Sequence, residues 1–382
     1  MADAPEVAQA RSNKQEQLPI FERLYHGASI AAFQTFINTM KWYRGWYTWF
    51  YPLGFGPGIV KSYECRPFLP IRIFFPKSYD QTSPQTLPTL FSIHGGGFCI
   101  GNPADDDEWN ARFADLHNVL VIALDYRKAP AYPFPTAIYD LEALMLAVHG
   151  DESLPIDKSR IAVGGFSAGG NLTLSVCQLQ SIRDTVKPTA ALPIYPVVDI
   201  TILSPEKVKM RYYKPELGPG MRSQTTDFLA GMSPTFNWSY IPVGQDATDP
   251  LLSPYFAAPE ELPSHMFIVA AELDQLAHEA WRMAAKWAGR SLPARTDRVG
   301  QEKVAHEKGG LILDDERFAF EHIKPGNQGS VRWLLVPDQV HGFDHLPLGM
   351  QGSEESFRDA QLKTVAYQKI LGEWLYNVVW KD

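Results

Sequence analysis

The chain predicts an α/β fold, with a mostly parallel central sheet, helices on both faces and a helical cap. Three observations predict it. Short apolar runs alternate with stretches of helical periodicity from Leu90 onward, as strands joined by crossover helices do. Val119 to Leu124 is apolar without interruption, as a strand buried on both faces must be. Ile161-Ala162-Val163 leads through Gly165-Phe166-Ser167-Ala168-Gly169-Gly170 into a helical segment, which places a serine on a sharp strand-to-helix turn.

The elements follow in order. Phe21, Leu24, Tyr25, Ile30, Phe33, Phe36 and Ile37 recur at helical spacing and predict an N-terminal helical arm within residues 1–60. Ile71 to Phe75 reads as an early strand, and Pro76 to Pro88 as a polar turn region. Leu90-Phe91-Ser92-Ile93 is a strand ending at His94-Gly95-Gly96-Gly97-Phe98, and Val119 to Leu124 is the next. Ala137 to Val148 and Asn171 to Leu179 have helical periodicity on either side of the serine turn. Ala190 to Tyr195, Met266 to Ala270 and Arg332 to Val336 are further strands, and Glu355 to Val379 is a final amphipathic helix.

Two stretches break the alternation. Residues 202–240 are rich in Pro, Gly, Met and aromatics and predict a second cap segment beside the 1–60 arm. Residues 289–328 are polar and weakly periodic, and predict a surface excursion. The core is thereby expected over 61–201 and 241–382, with the insertion at about 289–328.

With 382 residues, 45% of them hydrophobic, the chain can bury a large core as one domain or one domain with a cap. A net charge of −8 without a Lys/Arg run argues against nucleic acid or an anionic membrane as the main partner. Cys65, Cys99 and Cys177 are widely separated and odd in number, which suits free thiols in a reducing compartment. The polar stretch 1–17 has no apolar segment of the secretory kind, and no run reaches about 18 apolar residues, so a cytoplasmic chain without a spanning helix is expected. Residues 42–51, Trp-Tyr-Arg-Gly-Trp-Tyr-Thr-Trp-Phe-Tyr, suit cap packing or pocket lining, a substrate entrance, or contact with a membrane surface.

The chemistry is carried by four loops. A serine hydroxyl becomes a useful nucleophile only when a base takes its proton and an acid orients that base. Ser167 holds the apex of the turn, with Gly165 and Gly169 leaving room where strand and helix cross. The acid should follow a later strand, where Glu272 and Asp274 both stand; Asp274 is preferred and Glu272 is second. The base should come last, where His341 precedes a glycine and His345 is the nearby rival; His341 completes the order Ser…Asp…His. Two amides among Gly95, Gly96 and Gly97, with that of Ala168, could face an oxyanion. His94 is expected to shape its loop by hydrogen bonding, and with no ligand cluster beside it neither metal nor cofactor is expected.

Four motifs together resemble the hormone-sensitive-lipase-like esterases among the α/β-hydrolases. They are His94 to Phe98; Asp125-Tyr126-Arg127-Lys128-Ala129-Pro130 with Tyr132 to Pro135; Gly165 to Gly170; and Asp274 with His341-Gly342-Phe343. The resemblance implies Gly96, Gly97 and Ala168 as the oxyanion donors, Asp274 as the acid, and a cap made by the N-terminal arm. Lys128 and Ala131 depart from the usual Arg-Leu-Ala-Pro-Glu wording and are similar to fungal members. Phe166 stands where the family often has Asp or Thr, and Gln275 where a proline usually follows the acid.

The function expected is a serine carboxylic ester hydrolase acting through an acyl-enzyme. Its aromatic-rich cap suggests a hydrophobic or aryl ester with a short or medium acyl group. The same chemistry serves an acyltransferase, a lactonase or a natural-product tailoring enzyme. A third reading, a non-catalytic ligand-binding protein on the same fold, has against it that Ser167, Asp274 and His341 are all present.

Overall fold

The computed structural model describes residues 14–51, 54–305 and 307–381. Residues 1–13 of the expected arm, and of the polar stretch 1–17, lie outside the described residues.

The strands are β1 (Ile59–Tyr63), β2 (Arg66–Phe74), β3 (Leu87–Ile93), β4 (Leu120–Leu124), β5 (Ile156–Phe166), β6 (Ala190–Ile194), β7 (His265–Ala271), β8 (Ala319–Ile323) and β9 (Ser330–Val336). Among the described residues they form one sheet in the order β1-β2-β4-β3-β5-β6-β7-β9-β8. The run from β4 to β9 is parallel throughout, while β1, β2 and β8 at the edges pair antiparallel. β3, β4, β6 and β7 are buried along their whole length, which is why they read as continuous apolar runs.

Strand alternation sends the side chains to two cores. Phe91, Ile93, Ile122 and Val163 pack with helices α3 (Thr136–His149), α4 (Ala168–Cys177) and α7 (Ala277–Trp287), through Leu141, Leu172 and Met283. Leu90, Val121, Ala162 and Phe267 pack with α2 (Asp107–His117) and α9 (Glu354–Trp374), through Phe113, Tyr367 and Trp374. Each fully buried Leu, Ile, Val or Phe contributes about 1.5–3 kcal/mol, so two such faces fix which strand neighbours which. Between these lie two single turns, α5 (Ser204–Lys207) and α8 (Leu348–Gln351), and the helix α6 (Phe228–Tyr240).

The N-terminal helix α1 (Ile20–Phe50) buries only Ile30 fully. It lies on α6, where His26 Nδ1 is 2.9 Å from Thr235 Oγ1 and the rings of Phe33 and Phe236 meet at 6.4 Å. Polar ties fasten it to the core: Gln34 Nε2 donates to the carbonyls of Cys99 and Ala129, each at 2.8 Å, and Lys41 Nζ to that of Gly101.

Two expectations change here. The 42–51 aromatics form the last turns of α1 and, at Tyr51, its C-cap, and Trp42 and Trp49 are 73% and 75% exposed, so these rings are not core. An amphipathic helix cannot turn all of so dense a cluster inward, and its inner face is taken by Ile37, Met40, Lys41 and Arg44. The 289–328 stretch is not surface excursion throughout, because Ala319–Ile323 forms edge strand β8 on β9. Three of its five residues are exposed, which erased the apolar signal. Among the described residues no helix is long and apolar enough to cross a membrane.

Candidate active site

All the loops singled out in the sequence leave carboxyl ends of strands in the parallel part of the sheet, the edge where α/β sheets present their ligands. The glycine loop follows β3, Ser167 follows β5, the Glu272–Asp274 loop follows β7, and His341 follows β9. Ser167 has φ 55° and ψ −115°, a left-handed backbone that lifts its side chain out of the turn between β5 and α4. The crossing is tight enough that only glycine fits: a Cβ on Gly169 would lie 2.0 Å from the carbonyl oxygen of Ile93.

His341 Nε2 lies 2.8 Å from Ser167 Oγ, and His341 Nδ1 lies 2.7 Å from Asp274 Oδ2. The other oxygen, Asp274 Oδ1, accepts from the Leu276 N–H at 2.9 Å, so both carboxylate oxygens are engaged. Asp274 is buried, as is His341. Burial alone would lower the pKa of His341, but the facing Asp274 carboxylate, helped by Asp227 and Asp344, outweighs it and raises it. The ring of Tyr195 stands edge-on to His341 at 4.8 Å.

The alternatives sit elsewhere. Glu272 accepts from Lys214 Nζ at 2.8 Å, and from the N–H of Gln301 and of Asp338. Lys214 is wholly buried and bridges to Asp338 at 2.7 Å, so Glu272 belongs to an internal ion cluster that ties the 289–328 stretch to the sheet. His345 lies between two carboxylates, Asp106 at 3.1 Å and Asp344 at 3.0 Å, and Ser167 Oγ bonds His341 instead. Burial opposes the charged form of its imidazole, yet these two carboxylates hold its pKa well above the ordinary histidine value. Phe166 fills the place beside it, its ring edge-on to His345 at 4.7 Å and to Trp109 at 5.1 Å.

The glycine loop packs against the serine turn; a Cβ on Gly95 would approach the Phe166 carbonyl oxygen to 3.0 Å. Gly96 has φ 114° and its carbonyl accepts from the N–H groups of Cys99 and Ile100. Among the described residues the N–H groups of Gly96, Gly97 and Ala168 donate to no other backbone carbonyl. His94 holds the loop from below, with Nδ1 2.7 Å from the Gly95 carbonyl, Nε2 3.2 Å from Asp125, and its ring stacked on Tyr126. The Asp125 motif also braces the loop directly, since the Ala129 N–H donates to the Phe98 carbonyl at 3.0 Å.

Ser167 and His341 open into a cavity of about 560 Å³. Its walls are Phe33, Ile37 and Met40 of α1, and Phe228, Leu229, Met232 and Phe236 of α6, with Lys41, Arg44, Asp105 and Asp106 among its charged lining. No described residue of 289–328 lines it. Asp227 is a site neighbour that sequence reading missed. It caps the N-terminus of α6 and also accepts from the N–H of Gln275, beside the acid. An Asp just ahead of an apolar helical run was the available signal.

A family model described as alpha/beta hydrolase fold matches residues 90–307. Among curated relatives, an ethyl acetate hydrolase of Pseudomonas putida is 33% identical over 210 residues, 54% of this chain and 62% of that protein. An arylesterase of Saccharolobus solfataricus is 30% identical over 243 residues, 63% of this chain and 72% of that protein. An arylacetamide deacetylase of Oryctolagus cuniculus is 38% identical over 138 residues, 34% of each chain. The matches thus span less than two thirds of the first and third of these relatives. Among solved structures, an esterase of Pyrobaculum calidifontis superposes with a TM-score of 0.62 at 20% identity, over 94% of this chain and 98% of that one, a likeness of fold alone. An ester hydrolase from the metagenome of Lake Arreo gives a TM-score of 0.53 at 27% identity, over 78% and 79%.

Proposed function

The chain belongs to the alpha/beta hydrolase fold family, and from that premise we propose that it is a serine carboxylic ester hydrolase of the hormone-sensitive-lipase-like kind. The observation that carries the reading is the unbroken contact from Ser167 Oγ through His341 to Asp274, at 2.8 and 2.7 Å. A carboxylate can only accept, so the Asp274 contact puts the imidazole proton on Nδ1 and leaves Nε2 free to take the serine proton.

In this reading Ser167 Oγ attacks the ester carbonyl carbon as His341 Nε2 takes its proton. Asp274 stabilises the imidazolium, and the N–H groups of Gly96, Gly97 and Ala168 receive the oxyanion. Collapse breaks the bond to the alkoxy group, which leaves as the alcohol with the proton held by His341. Water, deprotonated by the same imidazole, then attacks the acyl-Ser167 carbonyl; the acyl–Oγ bond breaks, His341 returns the proton to Ser167 Oγ, and the acid leaves. The apolar walls from Phe33 to Met40 and from Phe228 to Phe236 support a hydrophobic or aryl ester with a short or medium acyl group. The wording at Lys128 and Ala131 supports a fungal-type member, and three unpaired cysteines support a cytoplasmic site of action.

The test is labelling of the purified chain with a fluorophosphonate probe, beside Ser167→Ala. Wild type is expected to label and to hydrolyse p-nitrophenyl esters, and the variant to do neither while melting at a similar temperature. A folded wild type that neither labels nor turns over ester overturns the reading and favours a binding protein. Acyl transfer outrunning hydrolysis when an alcohol is added would instead favour the transferase.

A further inference from the structure

We propose that Asp227 and Gln275 are positioning residues that strap the cavity-lining helix α6 to the loop holding Asp274. The proposal rests on the hydrolase reading and deepens it. Asp227 Oδ1 accepts from the Leu229 N–H at 2.8 Å, the ordinary work of a helix cap. Asp227 Oδ2 accepts from the Gln275 N–H at 2.7 Å, which a cap does not need. The Gln275 side chain closes a second link, with Nε2 donating to Ser233 Oγ at 3.0 Å. Both Asp227 and Gln275 are buried.

The two links alternate along α6 with the residues that meet a ligand. Phe228, Leu229 and Met232 line the cavity, while Asp227 and Ser233 reach back to the acid loop. Phe228 also stands edge-on to His341 at 6.4 Å. A displacement of the first two turns of α6 therefore pulls on the residue next to Asp274, whose Oδ1 is itself fixed by the Leu276 N–H. A proline at 275 could donate neither bond, because it has no N–H and no amide side chain.

Asp227 also adds charge behind the imidazole. Burial and the nearby Asp274 carboxylate push its pKa up to about 6, against the pull of the Gln275 and Leu229 amides and His341. The groups around it are Arg211, Asp274 and His341; the buried Arg211 feels both carboxylates. Those raising His341 are Asp274, Asp227 and Asp344. Above about pH 6 Asp227 is therefore ionised and supports the charged imidazole.

The test is Asp227→Asn, which keeps a good helix cap toward Leu229 but turns an NH2 toward the Gln275 N–H. The expected result is a fall in kcat of about tenfold. It comes with an acid limb of the pH–rate profile moved to lower pH by about half a unit, because one charge behind His341 is gone. A purely structural role would lower the melting temperature and leave that limb in place. Gln275→Ala should lose the Ser233 link alone, with a smaller fall in kcat and no shift of the limb. If both variants match wild type in kcat and pH profile, the strap is refuted. A wild type with no turnover at all overturns the hydrolase reading and this inference with it, so the two failures are told apart.

Discussion

Two carboxylates follow β7, and replacing each by its amide separates their work. In Asp274→Asn, the Leu276 N–H at 2.9 Å still needs an acceptor at the Oδ1 position. The amide must then present its NH2 where Oδ2 stood, 2.7 Å from His341 Nδ1. An NH2 donates, so Nδ1 must become the acceptor and the ring proton moves to Nε2, facing Ser167 Oγ. The imidazole then cannot take the serine proton. Loss of the correct tautomer in a serine triad lowers kcat by about 10⁴. At 1.36 kcal/mol per decade that is about 5.4 kcal/mol of barrier. In Glu272→Gln the loss falls on the fold, because Lys214 keeps only Asp338 as an anionic partner while remaining wholly buried. Breaking such a pair costs about 3–5 kcal/mol of stability. The assay is steady-state hydrolysis of p-nitrophenyl butyrate per folded molecule, with urea unfolding of the same samples. Asp274→Asn should lose turnover with little loss of stability, and Glu272→Gln the reverse. A Glu272→Gln protein that is stable and inactive, beside an active Asp274→Asn, would refute the assignment.

Turnover requires neutral His341, whose pKa is raised above 6.5, so the pH–rate profile should rise through a midpoint above that value. The same shift means that the charged imidazole stabilises the fold fully below pH 6.5 and that this contribution is lost as pH climbs through the raised value; a midpoint below 6.5 would count against both statements. Gly96→Ala would force a side chain onto a backbone at φ 114°, with its Cβ 2.3 Å from the Ile100 carbonyl oxygen. Moving that loop displaces an oxyanion donor, so kcat should fall by about 10²–10³ with KM little changed; near-normal kcat would exclude Gly96 from the role.

The parts of the molecule that read clearly from sequence are those where local pattern and burial agree. β3 and β4 are apolar because both faces are covered, and the turn around Ser167 carries glycines because a Cβ on Gly165 would meet the Gly169 carbonyl oxygen at 2.5 Å. What stayed hidden depends on partners far along the chain. α2 begins Asp107-Glu108-Trp109-Asn110, a polar start whose Asp107 is buried because Arg72 reaches it from β2. β1 is mostly exposed at an edge and has no apolar alternation to find. Lys214 looks like a surface lysine in a Pro-rich stretch, yet its carboxylates lie 58 and 124 residues away. Chain order asks for an acid after β7 and a histidine after β9 but does not separate Glu272 from Asp274 or His341 from His345. The resemblance singles out Asp274, His341 stands beside Gly342, and the Asp274 and His341 side chains meet at 2.7 Å. The role of Gln275 stayed hidden because its partners, Asp227 and Ser233, sit 48 and 42 residues earlier.

His341 meets Ser167 across 174 residues of chain, and meets Asp274 across 67. Between the serine and histidine strands stand β6 and β7, each hydrogen-bonded to its neighbours in parallel register. No shorter piece of polypeptide carries the whole constellation. Turnover thus becomes an internal reporter of completed folding: chains with an unpaired β6 or β7 would keep every reactive side chain and still be silent. A refolding experiment that follows hydrolysis and tryptophan fluorescence together should see activity return with the last spectroscopic phase.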